Sequence, residues 1–184
     1  MKDERVMTAN GNIVGAVKVS SNAKDHPNFD NSKIYKGWGD WEEDVATLCH
    51  QLKKKDWLFV YGIPRGGVTL STMVSHRLGV PMVADSPGHW MLNWYHWRMR
   101  QGINLESECN NILILDAICD TGRTMKYFKK ELSQEKANDE FNFKYAAIDV
   151  DPTQVQNVDY HINVKGKEWL VYPWEVGSQE LKKL

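Results

Sequence analysis

Residues 112–124 read ILILDAICDTGRT, and this stretch carries the clearest indication of the fold class. Its first four residues are aliphatic, a pattern typical of a strand that is buried on both faces of a sheet. The aliphatic run ends at Asp116, and a polar turn then leads into a helix predicted over residues 124–135. A buried strand that passes through a turn into a helix is a typical unit of α/β proteins.

The rest of the chain continues this alternation of strands and helices. Strands are predicted at residues 57–61, 80–84 and 145–150, and helices at residues 41–55 and in the segment that ends at Gly79. Asp40, with Glu43 three residues later, resembles a capping box at the start of the first helix. The alternation predicts an α/β fold with a central parallel sheet, flanking helices and right-handed crossovers.

Composition excludes several classes of protein. The 184 residues carry 23 Lys+Arg against 24 Asp+Glu, a formal net charge of -1. A nucleic-acid partner is therefore not expected, because proteins that grip the phosphates of duplexes are strongly basic. Three cysteines at wide spacings form no CxxC pair or zinc-type cluster and fit a reducing compartment. No apolar stretch approaches the ~20 residues that span a bilayer, so a cytoplasmic protein without a membrane partner is expected.

No repeat or low-complexity linker divides the chain. One domain is therefore predicted over residues 37–184. Residues 1–36 form an N-terminal extension of open role, in which only residues 13–19 resemble a strand.

The polar turn after the central strand is a candidate binding site. Ligands of an open parallel sheet bind outside the carboxyl ends of its strands. The backbone N–H groups from Thr121 to Thr124, with two hydroxyl groups and a helix N-terminus behind them, form a cradle suited to a phosphate monoester. Asp116 and Asp120 flank this cradle. The alternative interpretation is a capped helix start that binds no ligand.

The stretch ILILDAICDTGRT resembles the motif of the type I phosphoribosyltransferases that binds 5-phosphoribosyl pyrophosphate (PRPP). The resemblance implies that Thr121, Gly122, Arg123 and Thr124 hold the 5-phosphate. It also implies two catalytic carboxylates. Asp116 would bond the ribose hydroxyls, and Asp120 would lie beneath C1 and face the ring nitrogen of the incoming base, where a carboxylate can take the proton that the base loses.

Ala117 departs from this motif, because the family usually has a second acidic residue there. The absence of that carboxylate weakens the hold on ribose or on magnesium. Magnesium is nevertheless implied as the cofactor, with Asp116 as the candidate ligand, since Mg²⁺ in such sites rests mainly on substrate oxygens and water.

The loop Pro64-Arg65-Gly66-Gly67 follows the strand at residues 57–61. By itself it could be a tight turn before a helix. The family has a similar loop whose amides and arginine bind pyrophosphate, and the resemblance assigns that role to Arg65, Gly66 and Gly67. It also predicts a cis peptide between Pro64 and Arg65, as in several relatives.

Residues 167–175, KEWLVYPWE, resemble the hood of bacterial xanthine-guanine phosphoribosyltransferases. The hood is predicted at about residues 151–177. In this interpretation Trp169 stacks on the base, Val171 lines the base site, and Trp174 fills the core. A core position for Trp169 is the alternative.

The choice of base is less clear from the sequence. Relatives that use 6-oxopurines carry a lysine where this chain has Asp151. A carboxylate accepts hydrogen bonds where a lysine donates them, so an amino-bearing base is expected unless Lys165 or Lys167 reaches the site. Asp151 could equally be a turn residue before Pro152.

Residues 86–111 lie where the family has a mobile loop that closes over PRPP. Arg98 and Arg100 are the candidates to meet the pyrophosphate on closure. Three tryptophans in the same segment could instead form a subunit interface.

Together, the motifs predict an enzyme that transfers the phosphoribosyl group of PRPP to a nucleobase, most readily a purine, and releases pyrophosphate in nucleotide salvage. A homo-oligomer, either dimer or tetramer, is expected. The alternative is a non-catalytic regulator on the same fold that senses PRPP or a nucleotide, an interpretation that Ala117 favours slightly. A kinase-like phosphate site is not supported, because the chain has no Walker lysine pattern.

Overall fold

A parallel sheet of five strands, in the order β5-β4-β6-β7-β8, forms the centre of the fold. The structure is a computed structural model that describes residues 6–7, 13–14, 32–84, 109–134 and 141–175. Its strands are β1 (Val6–Met7), β2 (Ile13–Val14), β3 (Lys33–Tyr35), β4 (Phe59–Gly62), β5 (Met82–Val83), β6 (Asn111–Cys119), β7 (Asn142–Val150), β8 (Tyr160–Val164) and β9 (Trp169–Val171). Its α-helices are α1 (Trp38–Leu52), α2 (Gly66–Leu78) and α3 (Arg123–Gln134), and short 3-10 helices span Pro152–Asn157 and Pro173–Glu175. The predicted α/β fold with a parallel sheet is confirmed.

The central strand β6 is buried on both faces, as its aliphatic run predicts. Leu113 and Leu115 belong to one core cluster, together with apolar residues of α1 and α2. Ile112 and Ile114 belong to a second cluster, together with apolar residues of α3. Successive side chains of a strand point to opposite faces, so four aliphatic residues in a row supply both layers of the core.

Strand β6 is longer than the sequence suggests. It continues past Asp116 to Cys119, and its residues stay paired with β7 up to the contact of Cys119 with Val150. The prediction that the strand ends at the carboxylate is therefore wrong. The neighbouring strand β7 runs equally far, and it pairs with Asp116, Ile118 and Cys119.

The start of α1 and the end of α2 are set by residues close to them in the sequence. Helix α1 begins at Trp38, and the Asp40 carboxylate accepts a hydrogen bond of 3.0 Å from the Gly37 backbone amide. Asp40 is thus the third residue of the helix rather than the cap that the sequence suggests, because its side chain reaches back to the preceding turn. Helix α2 ends as predicted at Gly79, whose φ of 68° is left-handed.

A second, small parallel sheet pairs β3, which precedes α1, with β9 near the end of the described chain. Residues of β3 pair with β9, with Lys33 opposite Trp169 and Tyr35 opposite Val171. The last residues of the N-terminal extension therefore build part of the hood. The division at residue 36 remains a prediction for the rest of the extension. Within the described ranges, no helix combines the length and the apolar character needed to cross a membrane.

Candidate functional site

The loops that follow four neighbouring parallel strands meet at the carboxyl edge of the main sheet. They contribute the PRGG loop (residues 64–67) after β4, the phosphate loop (residues 120–124) after β6, Asp151 after β7 and Lys165 after β8. Open parallel sheets bind ligands at this edge. The topology thus collects residues that are far apart in the sequence at one place on the surface.

The PRGG loop lies directly against strand β6. Its Pro64–Arg65 peptide is cis, as the resemblance predicts, and Arg65 is exposed at the start of α2. A Cβ on Gly67 would collide with the Leu115 carbonyl oxygen and lie 3.1 Å from Asp116 Cα. Glycine at this position is required because the backbone of the loop touches the backbone of the strand.

A cavity of about 510 Å³ separates the PRGG loop from the hood. Arg65, Gly66 and Asp116 line one side of this cavity, and Trp174 and Glu175 line the other. The cavity is lined by the guanidinium group of Arg65, the backbone of Gly66 and the carboxylates of Asp116 and Glu175, a combination that suits a polar ligand.

Ala117, which takes the place of the usual second carboxylate, is buried beside the PRGG loop. A Cβ added to Gly66 would lie only 2.9 Å from the Ala117 Cβ. The two small residues therefore allow the loop to approach the strand closely. A carboxylate at residue 117 would have to displace this contact.

Asp116 projects into the cavity without a cationic partner among the described residues. Its Oδ1 accepts a 2.8 Å hydrogen bond from the Ala117 amide. Burial raises the pKa of Asp116 to about 7, although the amides of Ala117 and Ile118 act in the opposite direction. A carboxyl in this state would be stabilised as the anion by sugar hydroxyls or a cation.

We expect Asp116→Asn to stabilise the ligand-free protein at high pH. Because the folded-state pKa is raised, the ionised carboxylate costs stability, and that cost is absent below pH 4, grows from pH 4 to 7 and is complete above pH 7. The gain at pH 8 should be about 2 kcal/mol, since the open cavity screens part of the shift. Urea denaturation at pH 4, 6 and 8 measures it. If the free energies of unfolding of Asp116→Asn and the wild-type protein differed by the same amount at all three pH values, the raised pKa of Asp116 would be contradicted.

The phosphate loop is a tight turn held from behind by the next loop of the chain. Gly122 has a φ of 69°, and a Cβ there would collide with the Gln154 side chain and lie 3.1 Å from Asn157 Nδ2. The Gly122 carbonyl accepts a hydrogen bond of 2.9 Å from the Lys126 amide, and this is the first hydrogen bond of α3. Thr121 and Thr124 are exposed at this helix start, where backbone N–H groups are available to an anion.

Asp120 lies at the beginning of the phosphate loop and forms an ion pair. Its Oδ1 is 2.8 Å from Lys165 Nζ, and the Asp120 side chain is 46% exposed whereas that of Lys165 is 9% exposed. The pair joins the ends of β6 and β8. From the sequence alone, Lys165 could be named only together with Lys167 as a lysine able to reach the base site. Nothing in the residues around Lys165 indicates which loop its side chain faces.

The two residues predicted to contact the base from the hood have different surroundings. Trp169 is 67% exposed on β9 and presents an indole to solvent. Val171 is buried, and its carbonyl accepts from the Lys36 amide at 3.0 Å. The structure therefore places Val171 in the hood's own core, while Trp169 is available for stacking.

The carboxylate of Asp151 is engaged within its own turn. Its Oδ1 accepts from the Thr153 amide at 2.9 Å and from the Thr153 hydroxyl at 2.6 Å. These hydrogen bonds hold the pKa of Asp151 below its usual value. The geometry is that of a turn residue before Pro152, the second interpretation that the sequence leaves open.

Sequence reasoning misses a buried ionic cluster behind the hood. Lys36 Nζ lies 2.7 Å from both carboxylate oxygens of Asp149 and 2.7 Å from Asp44 Oδ2. Asp149 also accepts from the Tyr172 hydroxyl at 2.8 Å, and the Tyr172 ring stacks on Trp174 at 4.9 Å. Trp174 is half-buried and packs against the hydrophobic core cluster that contains Leu113 and Leu115, in line with the core position predicted for it. An isolated lysine before a helix gives no sequence signal of such a cluster.

Some predicted features cannot be placed. Arg98 and Arg100, with the tryptophans near them, lie outside the described residues. Among the described residues, no group of three or more His, Cys, Asp or Glu side chains could hold a metal ion. A divalent cation here would therefore depend on Asp116 together with oxygens from the substrate and water.

Comparisons with known proteins agree with the motifs. No protein-family profile matches the chain. A xanthine-guanine phosphoribosyltransferase of Chromohalobacter salexigens is 24% identical over 145 residues, covering 76% of this chain and 82% of the relative. The solved xanthine-guanine-hypoxanthine phosphoribosyltransferase of Helicobacter pylori has a TM-score of 0.60 at 17% identity and matches 82% of this chain and 98% of its own.

A purine phosphoribosyltransferase structure from Pyrococcus horikoshii is similar at a TM-score of 0.59, with 20% identity, 78% of this chain and 94% of its own covered. These likenesses show that the chain has the type I phosphoribosyltransferase fold. The resemblance to that family, expected from the motifs, is confirmed.

Proposed function

We propose that this chain transfers the 5-phosphoribosyl group of PRPP to a purine base and releases pyrophosphate. Two observations support the proposal: the PRGG loop and the phosphate loop follow the neighbouring parallel strands β4 and β6, and a cavity lies between the PRGG loop and the hood. The similarity to xanthine-guanine phosphoribosyltransferases supports the choice of a purine.

The chemistry assigns one task to each part of the site. The amides from Thr121 to Thr124 hold the 5-phosphate, and Asp116 accepts from the ribose hydroxyls. Arg65, Gly66 and Gly67 bind the pyrophosphate. A ring nitrogen of the base attacks C1 while the bond from C1 to the pyrophosphate oxygen breaks, and its electron pair leaves with pyrophosphate. Asp120 takes the proton that the base loses, and its negative charge stabilises the positive charge on the ribose ring.

The proposal also includes the cofactor, the oligomeric state and the cellular location. Mg²⁺ bound through Asp116 and substrate oxygens would neutralise the charge of the departing pyrophosphate. The half-buried carboxyl of Asp116, which has no cationic partner among the described residues, fits this requirement. A homo-oligomer and a cytoplasmic location belong to the same proposal, and the buried free thiols of Cys49 and Cys119 suit a reducing compartment.

Release of pyrophosphate tests the function directly. Purified protein is incubated with PRPP, Mg²⁺ and, in turn, guanine, hypoxanthine, xanthine and adenine. We expect pyrophosphate and a nucleoside monophosphate in equal amounts with at least one base. Binding of PRPP without release for any base, even at high protein concentration, would instead favour the non-catalytic sensor.

A further inference from the structure

The short 3-10 helix at Pro152–Asn157 lies behind the phosphate loop. The two segments touch at Gly122, where an added Cβ would collide with Gln154 Oε1 and lie 3.1 Å from Asn157 Nδ2. Gly122 is buried, whereas its neighbours Thr121 and Arg123 are exposed. The side chains of Gln154 and Asn157 therefore cover the buried residue of the loop.

The carboxamide of Gln154 is held at both of its ends. Its Oε1 accepts a hydrogen bond of 2.7 Å from Asn157 Nδ2, and its Nε2 donates to the Thr153 hydroxyl oxygen at 3.0 Å. The Thr153 hydroxyl donates its own proton to Asp151 Oδ1 at 2.6 Å. Because a hydroxyl has one proton, its oxygen is left as an acceptor for Gln154, and only one orientation of the carboxamide satisfies both neighbours.

The 3-10 helix is fixed to both elements that flank the phosphate loop. The Asp151 amide donates to the Cys119 carbonyl at 2.9 Å, at the end of β6. Val155 and Val158 pack against the core cluster that contains Met125 of α3. The helix therefore cannot shift without disturbing the strand before the loop or the helix after it.

The phosphate loop needs such a support because the residue at its centre is a glycine. Gly122 has a φ of 69°, and glycine adopts positive and negative φ about equally readily. Within the loop, the Arg123 amide lies a marginal 3.5 Å from Thr121 Oγ1. The contact with Gln154 restricts the backbone at the point where the loop amides turn toward an anion at the start of α3.

We propose that Gln154 is a positioning residue for the 5-phosphate of PRPP, and that it acts through Gly122 to hold the amides of residues 121–124 in the orientation that binds the phosphate. This inference rests on the proposed function and deepens it. A site that is ordered before its ligand arrives loses less conformational freedom on binding. Removal of the Gln154 side chain should therefore weaken the binding of the phosphate end of PRPP and leave the binding of the base unchanged.

Steady-state kinetics separate this role from a general structural one. Gln154→Ala should raise the KM for PRPP by about 10-fold and change kcat by less than about two-fold, because the 5-phosphate is held equally in the ground state and the transition state. The KM for the base should not change. Gln156→Ala is the matched control, since it makes the same change in the same 3-10 helix, at an exposed side chain whose Nε2 donates to the Thr153 carbonyl at 2.7 Å. It should leave the KM for PRPP unchanged.

Ligand binding provides a readout that does not need turnover. In titration calorimetry with Mg²⁺, Gln154→Ala should weaken the binding of ribose 5-phosphate by about 10-fold and leave the binding of pyrophosphate unchanged. Gln154→Met keeps most of the bulk behind Gly122 and should retain more of the affinity for ribose 5-phosphate than Gln154→Ala does. Circular dichroism of each variant should match that of the wild-type protein.

The outcomes distinguish the role of Gln154 from the proposed function. Unchanged affinity for ribose 5-phosphate in Gln154→Ala, or an equal loss for ribose 5-phosphate and pyrophosphate, would overturn the positioning role and leave the proposed function standing. Absence of pyrophosphate release with every base would overturn the proposed function. The titrations with ribose 5-phosphate would then still decide whether Gln154 orients the loop.

Discussion

Asp120→Asn should lower kcat by about 10²- to 10⁴-fold, the range that a positioned general base contributes. The amide that replaces the carboxylate cannot take the proton of the base and carries no charge to stabilise the ribose cation. The KM for PRPP should change little, because the phosphate and pyrophosphate contacts come from other residues. Pyrophosphate release at saturating PRPP and base measures the loss.

The matched control for Asp120→Asn is Glu42→Gln. This change also replaces a carboxylate by an amide in an ion pair, since Glu42 Oε1 is 3.2 Å from Arg77 Nη2 on the exposed surface of α1 and α2. It should leave kcat unchanged. A loss below ten-fold in Asp120→Asn, with its circular dichroism like that of the wild-type protein, would remove Asp120 from the chemistry.

Lys36→Met should destabilise the protein by about 3–5 kcal/mol, the cost of leaving a buried charge without its partner. Asp149 is fully buried in β7 and depends on the Lys36 ammonium, with further hydrogen bonds from Asn163 Nδ2 at 3.0 Å and from the Tyr172 hydroxyl. Burial also raises the pKa of Asp44, the second carboxylate of the cluster, despite the neighbouring ammonium. Urea denaturation at pH 7 gives the free energy of unfolding.

Two variants establish that the loss comes from the unpaired charge. Lys144→Met removes a partly exposed lysine that lies 3.1 Å from Asp159 Oδ1, and it should cost no more than about 1 kcal/mol. Adding Asp149→Leu to Lys36→Met removes the fully buried carboxylate and leaves only Asp44 without its ammonium, so it should restore part of the lost stability. A loss in Lys36→Met that is no larger than in Lys144→Met would show that Asp149 is not held as a buried anion.

The ionic cluster also bears on the shape of the site. The Tyr172 hydroxyl donates to Asp149 at 2.8 Å, and its oxygen lies 3.3 Å from the Ala117 carbonyl oxygen. Burial and the nearby Asp149 raise the pKa of Tyr172 well above its usual value, so its hydroxyl stays a donor. Its ring lines the cavity beside Trp174. Lys36 thus supports, through Asp149 and Tyr172, the wall of the hood that faces the PRGG loop.

Local features of the site could be predicted because they depend on neighbouring residues. The aliphatic run before Asp116 indicates a strand buried on both faces, and the glycines and threonines around it indicate turns and a helix start. These patterns describe burial and backbone conformation within a few residues. They were sufficient for the parallel α/β fold. The cis peptide between Pro64 and Arg65 was implied only by the resemblance to the family.

The end of β6 and the start of α1 could not be predicted from local patterns. Strand β6 continues beyond Asp116 because β7 runs alongside it, and α1 begins a turn earlier because the Asp40 side chain reaches back to Gly37. Propensity and periodicity do not report how far a neighbouring strand extends.

Local sequence patterns were enough to predict the order of strands and helices, the polar turns at their ends and the candidate carboxylates Asp116 and Asp120. The assembled fold was needed to show that Lys165 pairs with Asp120, that Asp151 caps its own turn, and that Lys36 contacts Asp149, 113 residues away. Periodicity encodes which face of an element is buried. Contacts between distant charges depend instead on the order and register of strands, which arise only when the whole sheet is assembled.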